Sequence, residues 1–178
     1  MSHSIRRFAA GDRDPMLAFA KALPDHDLLF LGRDLQHPRV VDAWVGAIDE
    51  GFIDSLVAEE DGAIVGTAAL VRDPLGWSPH VGEVRLLVAA DKRGHGLGRD
   101  LLEAIFAIAA EHGVAKLIAR MTPDQRGSVA LFESLGFLGE AMLRNHVRDR
   151  AGATHDLVIL SYDAGRVAAS HQAFGWSE

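Results

Sequence analysis

Apolar positions along the chain recur with strand-like and helix-like periods, and the switches between the two predict the order β-α-α-β-β-β-α-β-α-β-β. A short run over 4–8 predicts the first strand. Asp14-Pro15 reads as an N-cap and first helical residue; Met16, Leu17, Phe19, Ala20 and Leu23 form the apolar face that follows, and Pro24-Asp25 ends the helix. Residues 25–36 keep no period and predict a helical turn and a loop. Pro38 opens a second helix with Val40, Val41, Trp44, Val45 and Ile48 on one face, and Gly51 is placed to cap its end.

Segments 52–60 and 63–71 flank Asp61-Gly62, a strong hairpin signal. Residues 72–80, with two prolines, a glycine and Trp77, predict a loop. The strand 81–88 is apolar at nearly every position past Arg85, the pattern of a strand buried on both faces. A third helix runs from about 96 to 112, with Leu97, Leu101, Ile105, Ile108 and Ala109 toward the sheet, and Gly113 ends it. A strand at 115–121 is followed by the helix-start residues Thr122-Pro123-Asp124 and a helix over 128–135 closed by Gly136. Segments 138–147 and 154–162 pair as a closing hairpin around Arg150-Ala151-Gly152. The tail 163–178 has no sustained period and is expected to be mobile or to pack on a partner subunit, which leaves a homodimer open.

Length changes the picture little: 178 residues make one domain, spanning 1–162, with room for a real core. No apolar run approaches the roughly 18 residues that span a bilayer, and Arg6-Arg7 are not followed by a signal core, so a cytoplasmic protein without a membrane role is expected. The absence of cysteine excludes disulfides, a thiolate zinc site and a Cys nucleophile, and the nine histidines include no close ligand pair, so no metal is expected. A net charge of −7 argues against nucleic-acid binding. It would suit a cationic substrate, and solubility explains it equally well.

The candidate chemistry lies between the strand 81–88 and the helix after it, where Gly94, Gly96 and Gly98 alternate. Glycines let a backbone approach an anion, and the free N–H groups of a helix start, with the helix dipole behind them, point at it. A Walker A loop would need Lys-Ser/Thr where Arg99-Asp100 stand, and the dinucleotide fingerprint spaces its glycines differently and normally follows a first strand. Arg-x-x-Gly-x-Gly over 93–98 resembles the acetyl-CoA loop of the GNAT N-acetyltransferases, Gln/Arg-x-x-Gly-x-Gly/Ala. Residues 128–137, Ser-Val-Ala-Leu-Phe-Glu-Ser-Leu-Gly-Phe, resemble the family's fourth-helix signature Ala-x-x-Leu-Tyr-x-x-Leu-Gly-Phe. The two motifs sit at the expected separation within a resemblance covering about 4–162.

The resemblance implies the GNAT fold, an α/β (α+β) domain with a mixed, mostly antiparallel sheet of about seven strands flanked by four helices. It implies acetyl transfer from acetyl-CoA to an amine of a small molecule or a protein, in a direct ternary complex. The pantetheine would lie beside the fourth strand, splayed from the fifth by a bulge. The Val88 N–H would face the acetyl oxygen, Leu86 would pair with the pantetheine, and the amides of Arg93, Gly94, His95, Gly96, Leu97, Gly98 and Arg99 would hold the pyrophosphate. The Arg93 guanidinium either adds charge or is solvated. Gln125 takes the place of the family's cofactor-touching Asn.

Glu83 resembles the glutamate base of some members; otherwise it pairs with Arg85 or lies exposed. His80, with an ordinary pKa of about 6.5, is a second candidate base or a surface residue. The family's acidic tyrosine is Phe132 here, and Tyr162, the one tyrosine, has no assigned role. A non-catalytic acyl-CoA-binding or sensing module is therefore the alternative function.

Overall fold

The computed structural model describes residues 3–165, so nearly all of the predicted tail 163–178 lies outside the described residues. Seven strands, β1 (Ser4–Arg7), β2 (Ile53–Glu60), β3 (Ala63–Arg72), β4 (Val81–Val88), β5 (Lys116–Met121), β6 (Leu138–Arg148) and β7 (Thr154–Asp163), form one sheet in the order β1-β2-β3-β4-β5-β7-β6. Helices α1 (Arg13–Ala22), α2 (Pro38–Asp49), α3 (Leu97–Glu111) and α4 (Arg126–Ser134) cover it. Strand neighbours are antiparallel except β4 and β5, which run parallel because α3 carries the chain back between them. Three 3₁₀ segments, Ala10–Asp12, Asp25–Leu31 and Ala90–Lys92, complete the described elements.

The predicted element order holds; boundaries move where side chains compete with the backbone. Helix α1 starts earlier than Asp14-Pro15 suggested. The Asp12 carboxylate accepts from the Ala9 N–H at 2.8 Å and from Arg6 at 2.6 and 2.8 Å, which folds Ala10–Asp12 into a turn that runs into Arg13. Pro15 still falls in the first turn, where its missing N–H costs nothing. At α4 the Gln125 side-chain oxygen accepts from the Thr122 N–H at 3.2 Å and the Gln125 N–H donates to the Thr122 carbonyl at 3.1 Å. That closed turn leads directly into the helix, which starts at Arg126, two residues before the predicted 128. The hairpin between β2 and β3 turns at Asp61 and Gly62, both at positive φ (50° and 79°), as a primed turn requires.

The sheet is packed on both faces. On one, Leu97, Leu101 and Ile105 of α3 sit on Ala68, Leu70 and Val84, with Phe132 and Phe137 closing the α4 end. On the other, Met16, Phe19, Val41 and Trp44 of α1 and α2 sit on Val57 and Leu87. Leu101 and Met16 are fully buried, and truncating either to Ala would cost about 2–5 kcal/mol.

Strand β4 departs from its prediction. Val84 and Leu87 are buried, but Leu86 and Val88 are only half-buried. The reason is that β4 and β5 pair only over Val81–Glu83 and Lys116–Ile118. Strand β5 pairs with β7 along its whole length, from Lys116 opposite Asp163 to Met121 opposite Val158. It therefore follows β7 away from β4, and the sheet opens.

Candidate active site

The opening exposes one edge of β4. The β3–β4 ladder runs without a register shift from Arg72 opposite Gly82 to Gly66 opposite Val88. The bulge expected in β4 is therefore not what splays it; the loss of β5 pairing is. The Ala89 N–H donates to the Val65 carbonyl at 2.9 Å. Antiparallel pairing alternates, so the peptide groups of Leu87 and Arg85 also face β3, and those of Leu86 and Val88 face the gap. Of these, the Val88 carbonyl is already taken by the Arg93 guanidinium, at 3.0 and 3.1 Å. The Val88 and Leu86 N–H groups face the gap beyond the end of the β4–β5 ladder.

The glycine loop follows directly. Gly94 and Gly96 adopt φ of 77° and 89°, a region that costs an ordinary L-residue about 1–2 kcal/mol. The first bond into α3 runs from the Asp100 N–H to the Gly96 carbonyl at 3.0 Å, so the N–H groups of Leu97, Gly98 and Arg99 have no carbonyl partner and sit at the positive end of a 15-residue helix. At Gly98 a Cβ would lie 3.2 Å from Leu131 and 3.4 Å from Leu86, so α3 could not approach β4 and α4 as closely with a larger residue there.

Together these elements bound a cleft of about 700 Å³. Leu86, Val88, Gly94, Gly96 and Gly98 line one side, and Met121, Gln125, Arg126, Leu131 and Phe132 line the other. The 3₁₀ segment Asp25–Leu31 closes it with His26, Asp27 and Phe30. A second cavity of about 460 Å³ adjoins the cleft, because Phe30 and Arg120 line both.

Most of the predicted binding residues meet here. Arg93 and Arg99 line the cleft, yet their guanidiniums are engaged with protein. Arg93 also donates to Asp27 at 2.6 Å and so ties the loop, the end of β4 and the 3₁₀ segment together. Arg99 donates to Ser134 Oγ at 2.8 Å and joins α3 to α4. The His95 ring bonds back to the Arg93 carbonyl at 2.7 Å, and the Leu97 side chain is buried in the core, so both offer the cleft their backbone only. Gln125 lines it from the turn before α4.

The predicted bases are placed differently. Glu83 holds Arg85 at 3.1 Å and stands 3.6 Å from Arg120, behind the point where cleft and cavity meet. His80 is exposed at the far end of β4, where its carbonyl accepts from Ala115 and Lys116, and it lines neither space. Phe132 lines the cleft and packs edge-on against Phe137 at 5.0 Å. Tyr162 instead stacks on Phe106 and packs at a tilt against Phe137, at the edge of the core.

Sequence reasoning missed His26, Asp124 and Arg120. The His26 Nε2 lies 2.8 Å from Asp124 and 3.2 Å from the Thr122 hydroxyl. Asp124 is held below the usual carboxylate range by its bond to Thr122 and, less, by His26, against the opposing effect of burial. The only trace of this pair was a polar run, Asp-His-Asp at 25–27, and a Thr-Pro-Asp turn at 122–124, which nothing local connects. Among the described residues no group of three or more His, Cys, Asp or Glu could hold a metal, and no helix is long and apolar enough to cross a membrane.

Residues 22–137 match the model of the acetyltransferase (GNAT) family, well over half of the chain. The chain belongs to this family. Its curated relatives include rat N-acetyltransferase 8, 34% identical over 83 residues that cover 46% of this chain and 37% of the rat protein. Thus the match spans little more than a third of that relative. A ribosomal-protein-alanine N-acetyltransferase from Brucella melitensis superposes with a TM-score of 0.76 at 27% identity, covering 90% of this chain and 99% of the other. An acetyltransferase from Salmonella typhimurium, solved with acetyl-CoA, superposes with a TM-score of 0.75 at 22% identity over 92% and 95%. The GNAT fold expected from the two motifs is the fold observed.

Proposed function

We propose that the chain is an N-acetyltransferase that moves the acetyl group of acetyl-CoA to a primary amine by direct attack. One observation carries the reading: the unpaired Leu86 and Val88 N–H groups run straight into the glycine loop, whose amides at the start of α3 are also free. An extended, amide-bearing thiol ending in a pyrophosphate fits that continuous edge, strand-like along β4 and anionic at the helix. The Salmonella structure, with acetyl-CoA bound to the same fold, supports this choice of ligand.

In this reading the Val88 N–H polarises the thioester carbonyl, and the amides of 93–99 hold the pyrophosphate. The amine nitrogen bonds to the carbonyl carbon, the carbon–sulfur bond breaks, the amine loses a proton and CoA leaves as thiolate. Glu83 is the proposed proton acceptor, reached through water past Arg120. His26 is a second candidate, favoured by its place in the cleft wall with Asp124 behind it. His80 is retained only as a residue to be tested. Phe132 offers no proton, and none is required: a thiol has an ordinary pKa of about 8.5, so the thiolate leaves without strong acid help.

Two measurements test the reading. Acetyl-CoA at a hundredfold over its Kd should stabilise the fold by about 2.7 kcal/mol, seen as a raised Tm. CoA release should accompany acetylation of an amine. Stabilisation without release from any amine would favour the sensing module, and no stabilisation would end the cofactor assignment.

A further inference from the structure

The cavity that adjoins the cleft is cationic in a chain of net charge −7. Leu28, Leu29, Phe30 and Leu157 give it an apolar floor, and Arg33, Arg120, Arg148 and Arg150 stand around it with His146. Its carboxylates are Asp25 and Asp34, and both are occupied by one arginine: Arg150 donates to them at 3.1 and 2.7 Å and to the Gln36 side chain at 2.8 Å. The guanidiniums of Arg33 and Arg148 have no hydrogen-bond or ion-pair partner among the described residues. Arg120 is underused as well, since its buried Nε has no partner and Glu83 lies 3.6 Å from its Nη2.

Unpaired guanidiniums around an apolar floor are matched by an anion carried on a small apolar body, because the planar fork of arginine binds carboxylates and phosphates bidentately. The cavity and the cleft meet at Phe30 and Arg120, so a molecule seated in the cavity reaches the cleft there.

We propose that this cavity is the acceptor site and that its acceptor is a small anionic amine, whose acid group is held by Arg33, Arg148 and Arg120 and whose amine points into the cleft. This rests on the reading of the cleft as the acetyl-CoA site. The amine nitrogen of such a molecule bonds to the acetyl carbon and gives up one proton, the carbon–sulfur bond breaks, CoA leaves as the thiolate, and the acid group is unchanged. Overall negative charge would have suggested a cationic substrate; the local field at the site has the opposite sign.

The test compares matched acceptors on the full chain with acetyl-CoA, following CoA release: L-leucine, its amide, 3-methylbutylamine and the aminophosphonate analogue of leucine, with the same set for phenylalanine. The acids should exceed the amides and plain amines by at least about tenfold in kcat/KM, since a site built for a charged partner rejects an analogue that lacks it. The phosphonate arm distinguishes a dianion from a carboxylate. R33A and R148A should raise KM for the acids by about tenfold with little change in kcat, and should narrow the preference for acid over amide. Binding is read in parallel by calorimetry, titrating N-acetyl-L-leucine and N-acetyl-L-phenylalanine into the protein with CoA; R33A and R148A should weaken it.

Amides or plain amines used as well as the acids would overturn the proposal, as would no binding of either N-acetyl acid. Acetyl-CoA binding, measured in the same samples, separates the two readings. Its loss would remove the enzyme assignment, whereas its retention with a preference for neutral amines would remove only the anionic acceptor.

Discussion

The cleft and the cavity beside it both present hydrogen-bond donors of positive character, and they build them from different parts. The cleft uses main-chain N–H groups: the open edge of β4 and the helix start at 97–99, aligned by one continuous stretch of chain. The cavity uses side chains from the 3₁₀ segment and its following turn, from β5 and from the β6–β7 hairpin, which are distant in sequence. A backbone site is indifferent to most side chains around it and intolerant at its glycines. A side-chain site is adjustable one residue at a time. The proposed cofactor half therefore should be easily abolished, and the proposed acceptor half easily retuned.

Substitutions can break or sharpen that division. Glu83 stands behind the junction, 3.6 Å from Arg120, which lines both spaces. Glu83→Gln should lower kcat/KM by about 10²–10⁴ if the carboxylate takes the amine's proton, while acetyl-CoA affinity stays within about threefold. Partial recovery at high pH, where the amine deprotonates unaided, would mark the loss as that of a base. An enzyme near wild-type rate would pass the role to His26, whose His26→Gln variant would then be the inactive one; an inactive His80→Ala would move it to β4's far end.

Gly96→Val comes next. A β-branched residue at a φ of 89° costs stability and crowds the pyrophosphate, so acetyl-CoA affinity should fall at least about a hundredfold by calorimetry. Acetyl-CoA binding unchanged by this substitution would dissolve the backbone half of the comparison.

Phe132→Tyr should be smaller still. The residue lines the cleft, so a restored phenol can reach the leaving sulfur, but it has little barrier to remove, and turnover should change by less than about tenfold. A rise of several hundredfold would show that the chain lacks an acid it needs.

Asp12→Asn lies away from both spaces and should leave kinetics alone. Hydrogen bonds from Arg6 hold the Asp12 carboxyl below its ordinary range despite its burial. A depressed pKa in the folded state adds stability that is fully present above the ordinary carboxylate value, near about 3.9, and is lost as pH falls through the folded value. The substitution should cost about 1–3 kcal/mol at neutral pH and flatten the acid limb of the unfolding curve.

The same division decides what could be read before the fold was known. Strand and helix periods place every major element, and the shape of the glycine loop is legible because its requirement, positive φ at Gly94 and Gly96 just before a helix start, is set by consecutive residues. The orientation of Arg93 is not local: its guanidinium is drawn to Val88 and to Asp27, sixty-six residues away. Glu83 illustrates the limit, since its alternatives of base or partner of Arg85 rested on Arg120, thirty-seven positions later, of which the strand pattern said nothing. The half-exposure of Leu86 and Val88 was missed for a similar reason: an apolar run reports burial but not the absence of a neighbouring strand.

Hydrogen exchange with and without acetyl-CoA tests the backbone cleft most directly. Binding should slow exchange across peptides covering 86–99, where the Leu86 and Val88 N–H groups and the loop amides gain partners, and should leave 144–150, on the cavity side, unchanged. Unaltered exchange over 86–99 under saturating acetyl-CoA, or protection confined to the 144–150 side, would contradict the assignment of the open β4 edge and glycine loop as the acetyl-CoA site.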